Sequence, residues 1–168
     1  VFTFVRPGEL RGARWEEFNM DKAEWRIQAD RMKMKTEHIV PLSHQAIETL
    51  DELTLHTGRY DLLFPNRNRQ GKYLSENTMT YALYRLGYHS RATPHGFRAT
   101  ASTILNEQGW NSDVIERQLA HAERNKVRAA YHRSQYLAER RKMMQSWADY
   151  LEGIKAGNVV NFKTGEII

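Results

Sequence analysis

The chain has 168 residues, with 25 Lys and Arg against 20 Asp and Glu, a formal net charge of +5 and no Cys. This length supports one domain with a proper core and not two, and the basic balance suits an anionic partner, nucleic acid first among them. Without Cys there are neither disulfides nor thiolate metal ligands, and no signal peptide or long apolar run is evident, so a soluble, cytoplasmic protein is expected. The chain opens on Val1 rather than Met, and Arg6, a candidate functional residue, lies almost at the start. A longer parent protein with upstream domains is therefore expected.

Arg6-Pro7-Gly8-Glu9-Leu10 reads as a helix opening, because Pro suits the first helical position and Glu complements the dipole of the first turn. A short helix is predicted over 7–17. Glu24 to Gln28 and Met32 to Leu42 follow as a hairpin, with Lys33 and Lys35 on one strand face and Met32 and Met34 on the other. Ser43 is a cap for a helix carrying Ala46, Ile47, Leu50 and Leu53 and ending at Gly58. A polar loop over 66–72 holds Arg67, Arg69 and Lys72, and a helix from Ser75 with Met79, Leu83 and Leu86 closes at Gly87. Thr93-Pro94 is the clearest start signal: Thr as cap, Pro at the first position, then Phe97, Ala101, Ile104 and Leu105 at core spacing, with Gly109 as terminator.

Asn111 or Ser112 caps a further short helix with Val114, Ile115 and Leu119 inward, and another turn or two is expected over Val127 to Tyr131. From Tyr136 to Ile154 the series Tyr136, Arg140, Met143, Trp147, Leu151, Ile154 has helical spacing, with Arg140, Arg141 and Lys142 read as largely outward. The fold class is mainly α with a small antiparallel β-hairpin or sheet. Residues 1–157 are read as the domain and 158–168 as a flexible tail.

His95 and Arg98 stand three apart in the first turns of a capped helix, where amide groups and dipole attract anions, so a phosphate there would meet both side chains. Taken singly, each candidate also has an ordinary explanation. Arg6 and Glu9 form a surface pair or a buttressed functional guanidinium. Lys33 and Lys35 are a solvated strand face or include an acid catalyst. His121 is a helix-terminal histidine, and Tyr131 is one of eight tyrosines. No His-Glu-x-x-His or comparable spacing supports a metal-dependent nuclease.

Taken together and in order, Arg6, Lys33, His95-x-x-Arg98, Leu119-Ala120-His121 and Tyr131 resemble the tyrosine recombinase (phage integrase) family. Arg6 to Trp15 matches the family's first box at Arg, Glu, Leu and Trp, departing at Phe4-Val5 and Ala13. Val40-Pro41-Leu42 points back seven residues to Lys33, with Lys35 as fallback. Tyr131 follows His121 by ten residues, one more than usual, and Ala129-Ala130-Tyr131-His132-Arg133 is similar to integrases of satellite-phage and genomic-island type, with Tyr136 as the alternative.

The resemblance implies the family's catalytic-domain fold and site-specific recombination or integration without metal or other cofactor. It assigns Tyr131 as nucleophile, forming a 3′-phosphotyrosine, and Arg6 and Arg98 as stabilisers of phosphate charge. Lys33 becomes the general acid, with His95 and His121 as phosphate ligands and Glu9 as support. Lys35, Arg67, Arg69, Lys72, Arg124, Lys126 and Arg128 are DNA-backbone candidates. Implied partners are double-stranded DNA attachment sites, a homotetramer on DNA, and an accessory DNA-bending or directionality protein. A type IB topoisomerase-like strand relaxase and a non-catalytic DNA-binding domain are the alternatives.

Overall fold

The computed structural model describes residues 1–121 and 135–158. Helix α1 (Pro7–Arg11) opens as its Pro suggests, and the Glu9 carboxylate reaches back to accept the Arg6 backbone N–H at 2.8 Å. The helix expected to run to residue 17 stops at Gly12. The backbone turns extended here because Arg14 pairs with Leu62 in an antiparallel bridge and the Ala13 carbonyl accepts the Leu63 N–H at 3.0 Å. A single 3-10 turn, Trp15–Glu17, replaces the remainder.

The sheet has three antiparallel strands in chain order, β1 (Phe18–Asn19), β2 (Glu24–Ile27) and β3 (His38–Pro41). Trp25 lies opposite Val40 and Ile27 opposite His38, all buried. The second strand was expected from Met32, but residues 32–36 form bends and a turn, Lys35 has φ +52°, and only Met32 of the two methionines is buried. The alternation that put Lys33 and Lys35 on one strand face therefore does not occur. A 3-10 turn at Ala29–Arg31 precedes the segment, and residues 33–37 offer little apolar surface for a sheet to bury.

Helix α2 (His44–Thr57) starts where Ser43 Oγ accepts the Ala46 N–H at 3.3 Å. Helix α3 (Thr78–Arg85) begins three residues after Ser75, whose carbonyl accepts the Thr78 N–H in a preceding turn. Met79 and Leu83 face an apolar cleft shared with Phe97, whereas Leu86, expected inward, is exposed. Helix α4 (Gly96–Glu107) is capped as predicted, Thr93 Oγ1 accepting the Gly96 N–H at 3.0 Å, although Pro94 and His95 form a turn before the regular helix. Helix α5 (Ser112–Gln118) is capped by Asn111, whose side chain accepts the Asp113 N–H.

Helix α6 (Leu137–Lys155) turns Met143, Met144, Trp147, Ala148 and Tyr150 inward, while Ile154, expected in the core, is exposed. Arg140, expected outward, is fully buried on that same face, four residues before Met144. Arg141 is half-exposed and paired with Glu24. The turn expected over 127–131 and residues 159–168 of the expected tail lie outside the described residues.

Two apolar clusters form the interior. One joins α4, α5 and α6 around Leu105, Ile115 and Trp147; the other joins the sheet and α2 around Trp25, Ile27 and Leu50. Phe4 belongs to the first and its neighbour Val5 to the second; Leu119 and Ala120 divide in the same way. A buried polar layer bridges the clusters nearby. His38 Nε2–H donates to the Gln118 carbonyl at 3.1 Å, and Arg140 donates to Gln118 Oε1 at 3.0 and 2.7 Å and to the Ile39 carbonyl.

Burial, reinforced by Arg140, lowers the His38 pKa to about 3, so the ring is neutral in the fold. The unfolded chain takes up this proton near 6.5. Between those values the unfolded state binds more protons, and stability falls as pH falls from 6.5 toward 3. Urea unfolding across that window should show a loss of up to about 1.4 kcal/mol per pH unit from this group. His38→Gln should flatten that slope; an unchanged slope would assign the acid sensitivity elsewhere.

Candidate active site

The segment Leu119-Ala120-His121 closes α5. The Ala120 N–H donates to the Arg117 carbonyl and the His121 N–H to the Glu116 carbonyl, each at 3.1 Å, with Ala120 at φ +48°. This is the Schellman arrangement, which α3, α4 and α6 complete with Gly87, Gly109 and Gly157 in the left-handed position. Here an alanine bears that conformation, and two arginines hold the carbonyls beside it. Arg6 Nη2 donates to the Ala120 carbonyl at 3.0 Å, and Arg98 Nη2 donates to the Leu119 carbonyl. Arg98 Nη1 also donates, at 2.7 Å, to the carbonyl of Phe4, another non-glycine residue with positive φ. Backbone in such regions persists where its surroundings over-determine it, and these guanidinium contacts do so.

Arg6 is braced from its own helix. Its Nη1 meets Glu9 Oε1 at 2.8 Å while Glu9 Oε2 takes the Arg6 backbone N–H, and the Glu9 side chain is buried. The alternative of a loose surface pair is thereby excluded. Arg98 is buried on α4, and its guanidinium donates to the carbonyl oxygens of Phe4 and Leu119. Burial, and then repulsion from Arg6, lowers its pKa to about 10, which leaves it charged at neutral pH. His121 is 45% exposed and its Nδ1–H donates to Glu116 Oε2 at 2.7 Å, fixing the ring and leaving Nε2 as its other polar edge. His95 lies exposed in the turn that enters α4.

Arg6, Arg98 and His121 are thus brought together at the junction of the two cores. Lys33 and Lys35 lie exposed in the β2–β3 connection, Lys35 Nζ donating to the Asp30 carbonyl at 3.2 Å. Arg67, Arg69 and Lys72 are exposed in a turn closed by the Asn66 N–H on the Lys72 carbonyl at 2.7 Å, and none forms an ion pair among the described residues. Tyr131, Arg124, Lys126 and Arg128 lie outside the described residues. Tyr136, the alternative nucleophile, stands at the start of α6, half-buried against the helical core.

Sequence reasoning missed Glu116, which orients His121, and the His38–Gln118–Arg140 layer behind it. The alternation of His38 with Val40 on β3 was the available signal for the latter, since both share one strand face. No signal marked Glu116, because its link to His121 depends on the left-handed turn between them. Among the described residues, no group of three or more His, Asp or Glu is arranged to hold a metal ion, and no helix is long and apolar enough to cross a membrane.

This architecture, mainly helical with one small antiparallel sheet, is shared with solved recombinases. The integrase of mycobacterium phage Brujita superposes with a TM-score of 0.64 at 17% identity, over 86% of this chain and 47% of that one. The XerA recombinase does so with a TM-score of 0.58 at 21% identity, over 84% and 52%. The phage integrase family model matches residues 1–137, and the chain belongs to that family. It is 51% identical over 168 residues to the integrase of Enterobacteria phage P4, covering 90% of this chain and 38% of that protein. It is 42% identical over 160 residues to the prophage integrase IntA of Escherichia coli strain K12, covering 95% and 39%. The chain therefore spans about two fifths of the length of these curated relatives.

Proposed function

We propose that residues 1–157 are the catalytic domain of a longer integrase that performs site-specific DNA recombination by transesterification. The observation that carries the proposal is the convergence of Arg6 and Arg98 on the consecutive carbonyls of Ala120 and Leu119, immediately before His121, in a chain of this family. Two fixed guanidiniums at one point suit the non-bridging oxygens of a phosphodiester, whose charge grows and spreads in the transition state. The Tyr131 hydroxyl oxygen attacks phosphorus, its proton passing to His95. The bond to the 5′-oxygen breaks as Lys33 protonates the leaving group, giving a 3′-phosphotyrosine and a free 5′-hydroxyl. The incoming strand's 5′-hydroxyl then reverses the step. No metal or other cofactor enters this scheme.

His121, held by Glu116, hydrogen-bonds the phosphate through Nε2. Lys35, Arg67, Arg69, Lys72, Arg124, Lys126 and Arg128 supply contacts to the DNA backbone, which are salt-dependent and carry no sequence information. The working assembly is a homotetramer on two double-stranded attachment sites, with an accessory DNA-bending or directionality protein, in the bacterial cytoplasm.

The test is trapping on a nicked suicide substrate that carries the attachment site. In the full-length integrase, Tyr131→Phe should abolish the covalent protein–DNA adduct while leaving DNA affinity within about twofold, because only one hydroxyl is lost and the phosphate contacts remain. Persistence of the adduct would remove Tyr131 as nucleophile and turn attention to Tyr136.

A further inference from the structure

We infer that Arg31 is the positioning residue for the general acid, clamping the stem of the Lys33 loop to the helix that presents Arg6. The inference rests on the reading of Lys33 given above and concerns a residue that this reading leaves unused. Arg31 ends the 3-10 turn leading into the loop, and its side chain is only 18% exposed. Its Nη2 donates to the Glu9 carbonyl at 2.6 Å, and its Nη1 pairs with Glu17 Oε1.

Both partners are themselves fixed. The Glu9 carboxylate holds Arg6 through side chain and backbone. Glu17 Oε2 accepts the Trp25 indole N–H at 3.0 Å and the Arg14 N–H at 3.1 Å. A single residue, Glu9, therefore carries Arg6 on its carboxylate and Arg31 on its carbonyl, linking the phosphate-binding arginine to the loop stem.

Beyond Arg31 the burial continues for one residue and then stops. Met32 is buried in the sheet-side core, and Lys33 and the four residues after it are exposed. Lys33 is thus one residue from a buried side chain and two from a guanidinium tied to α1. A general acid must lie within hydrogen-bond reach of the oxygen it protonates, and small misplacements cost large factors in rate. The planar guanidinium spans a carbonyl and a carboxylate at once, which a lysine ammonium does less well. Gly12 keeps room for it, since a Cβ at that position would come within 3.1 Å of Arg31 Nη2.

The experiment compares strand cleavage by the full-length integrase on two substrates, one with the natural scissile phosphodiester and one with sulfur replacing the bridging 5′-oxygen. A thiolate leaves without protonation, so a defect confined to the general acid disappears on the sulfur substrate. Arg31→Met should slow natural cleavage by about ten- to a hundredfold and return to near the parent rate on the sulfur substrate. Gly12→Ala crowds the guanidinium without removing it and provides a second variant should Arg31→Met fold poorly. A smaller loss, likewise rescued by sulfur, is expected from it.

Lys33→Ala separates the two levels of the argument. If sulfur fails to rescue Lys33→Ala, the assignment of Lys33 as general acid falls. If sulfur rescues Lys33→Ala but neither Arg31→Met nor Gly12→Ala, or if both of those cleave the natural substrate at the parent rate, the positioning role of Arg31 is overturned.

Discussion

Replacing Arg98 with Ala is expected to lower covalent DNA cleavage by about 10³- to 10⁵-fold, the range lost when an arginine that stabilises transferring phosphoryl charge is removed. Arg98 is a buried cation bound to two carbonyl oxygens, and its charge survives burial because its pKa falls only to about 10. A cation set this way is preorganised: little has to reorganise when negative charge develops on a bound phosphate. Removing it also strips the donors from the Phe4 and Leu119 carbonyls at about 1–3 kcal/mol for each buried group left unpaired. Arg98→Lys should restore part of the fold but little of the rate, because one ammonium cannot reproduce the two-pronged geometry. Single-turnover adduct formation measured well below the thermal midpoint of each variant separates the two effects. A rate loss that vanished once the folded fraction was corrected for would leave Arg98 a structural residue only.

Arg140→Met is expected to destabilise the fold by several kcal/mol, about 1–3 kcal/mol for each buried acceptor that it leaves unpaired. The opposing effect is real, since burial followed by repulsion from Arg117 lowers the Arg140 pKa to about 9, and removal of the charge relieves that cost. The hydrogen bonds outweigh it. Gln118 Oε1 and the Ile39 and Gln135 carbonyls lose the donors that Arg140 supplies from inside the protein, and bonds to a charged donor contribute about 1.5–3 kcal/mol each. The double variant Arg140→Met, Gln118→Met removes the stranded side-chain acceptor as well, and should recover part of the loss. Guanidinium unfolding of both variants measures this directly; a double variant no more stable than the single one would mean that Gln118 is not the main group stranded.

Parts of the candidate site were legible because some of its contacts span short chain distances. Thr93 caps α4 from three residues away, and spacing alone brings His95 and Arg98 to the start of that helix. Arg6 and Glu9 are likewise three apart, so a contact was readable, but whether the pair was loose or buried depended on Ala120 and Arg31 docking against it. The Lys33 segment was misread as a strand since its conformation is set at its stem by Arg31 and Met32 rather than by its own pattern. The helix expected to continue from α1 was shortened by a strand-like pairing of Arg14 with Leu62, a contact no local preference encodes.

By itself the sequence determined where most helices start and stop, because caps, Pro and Gly act within about one helical turn of their own position. Only the tertiary structure decided which arginines turn inward. Arg98 finds Phe4 across 94 residues and Arg140 finds Ile39 across 101. A buried guanidinium is tolerated where acceptors converge on it, and here those acceptors are backbone carbonyls and a glutamine exposed to it only once the two cores have packed together.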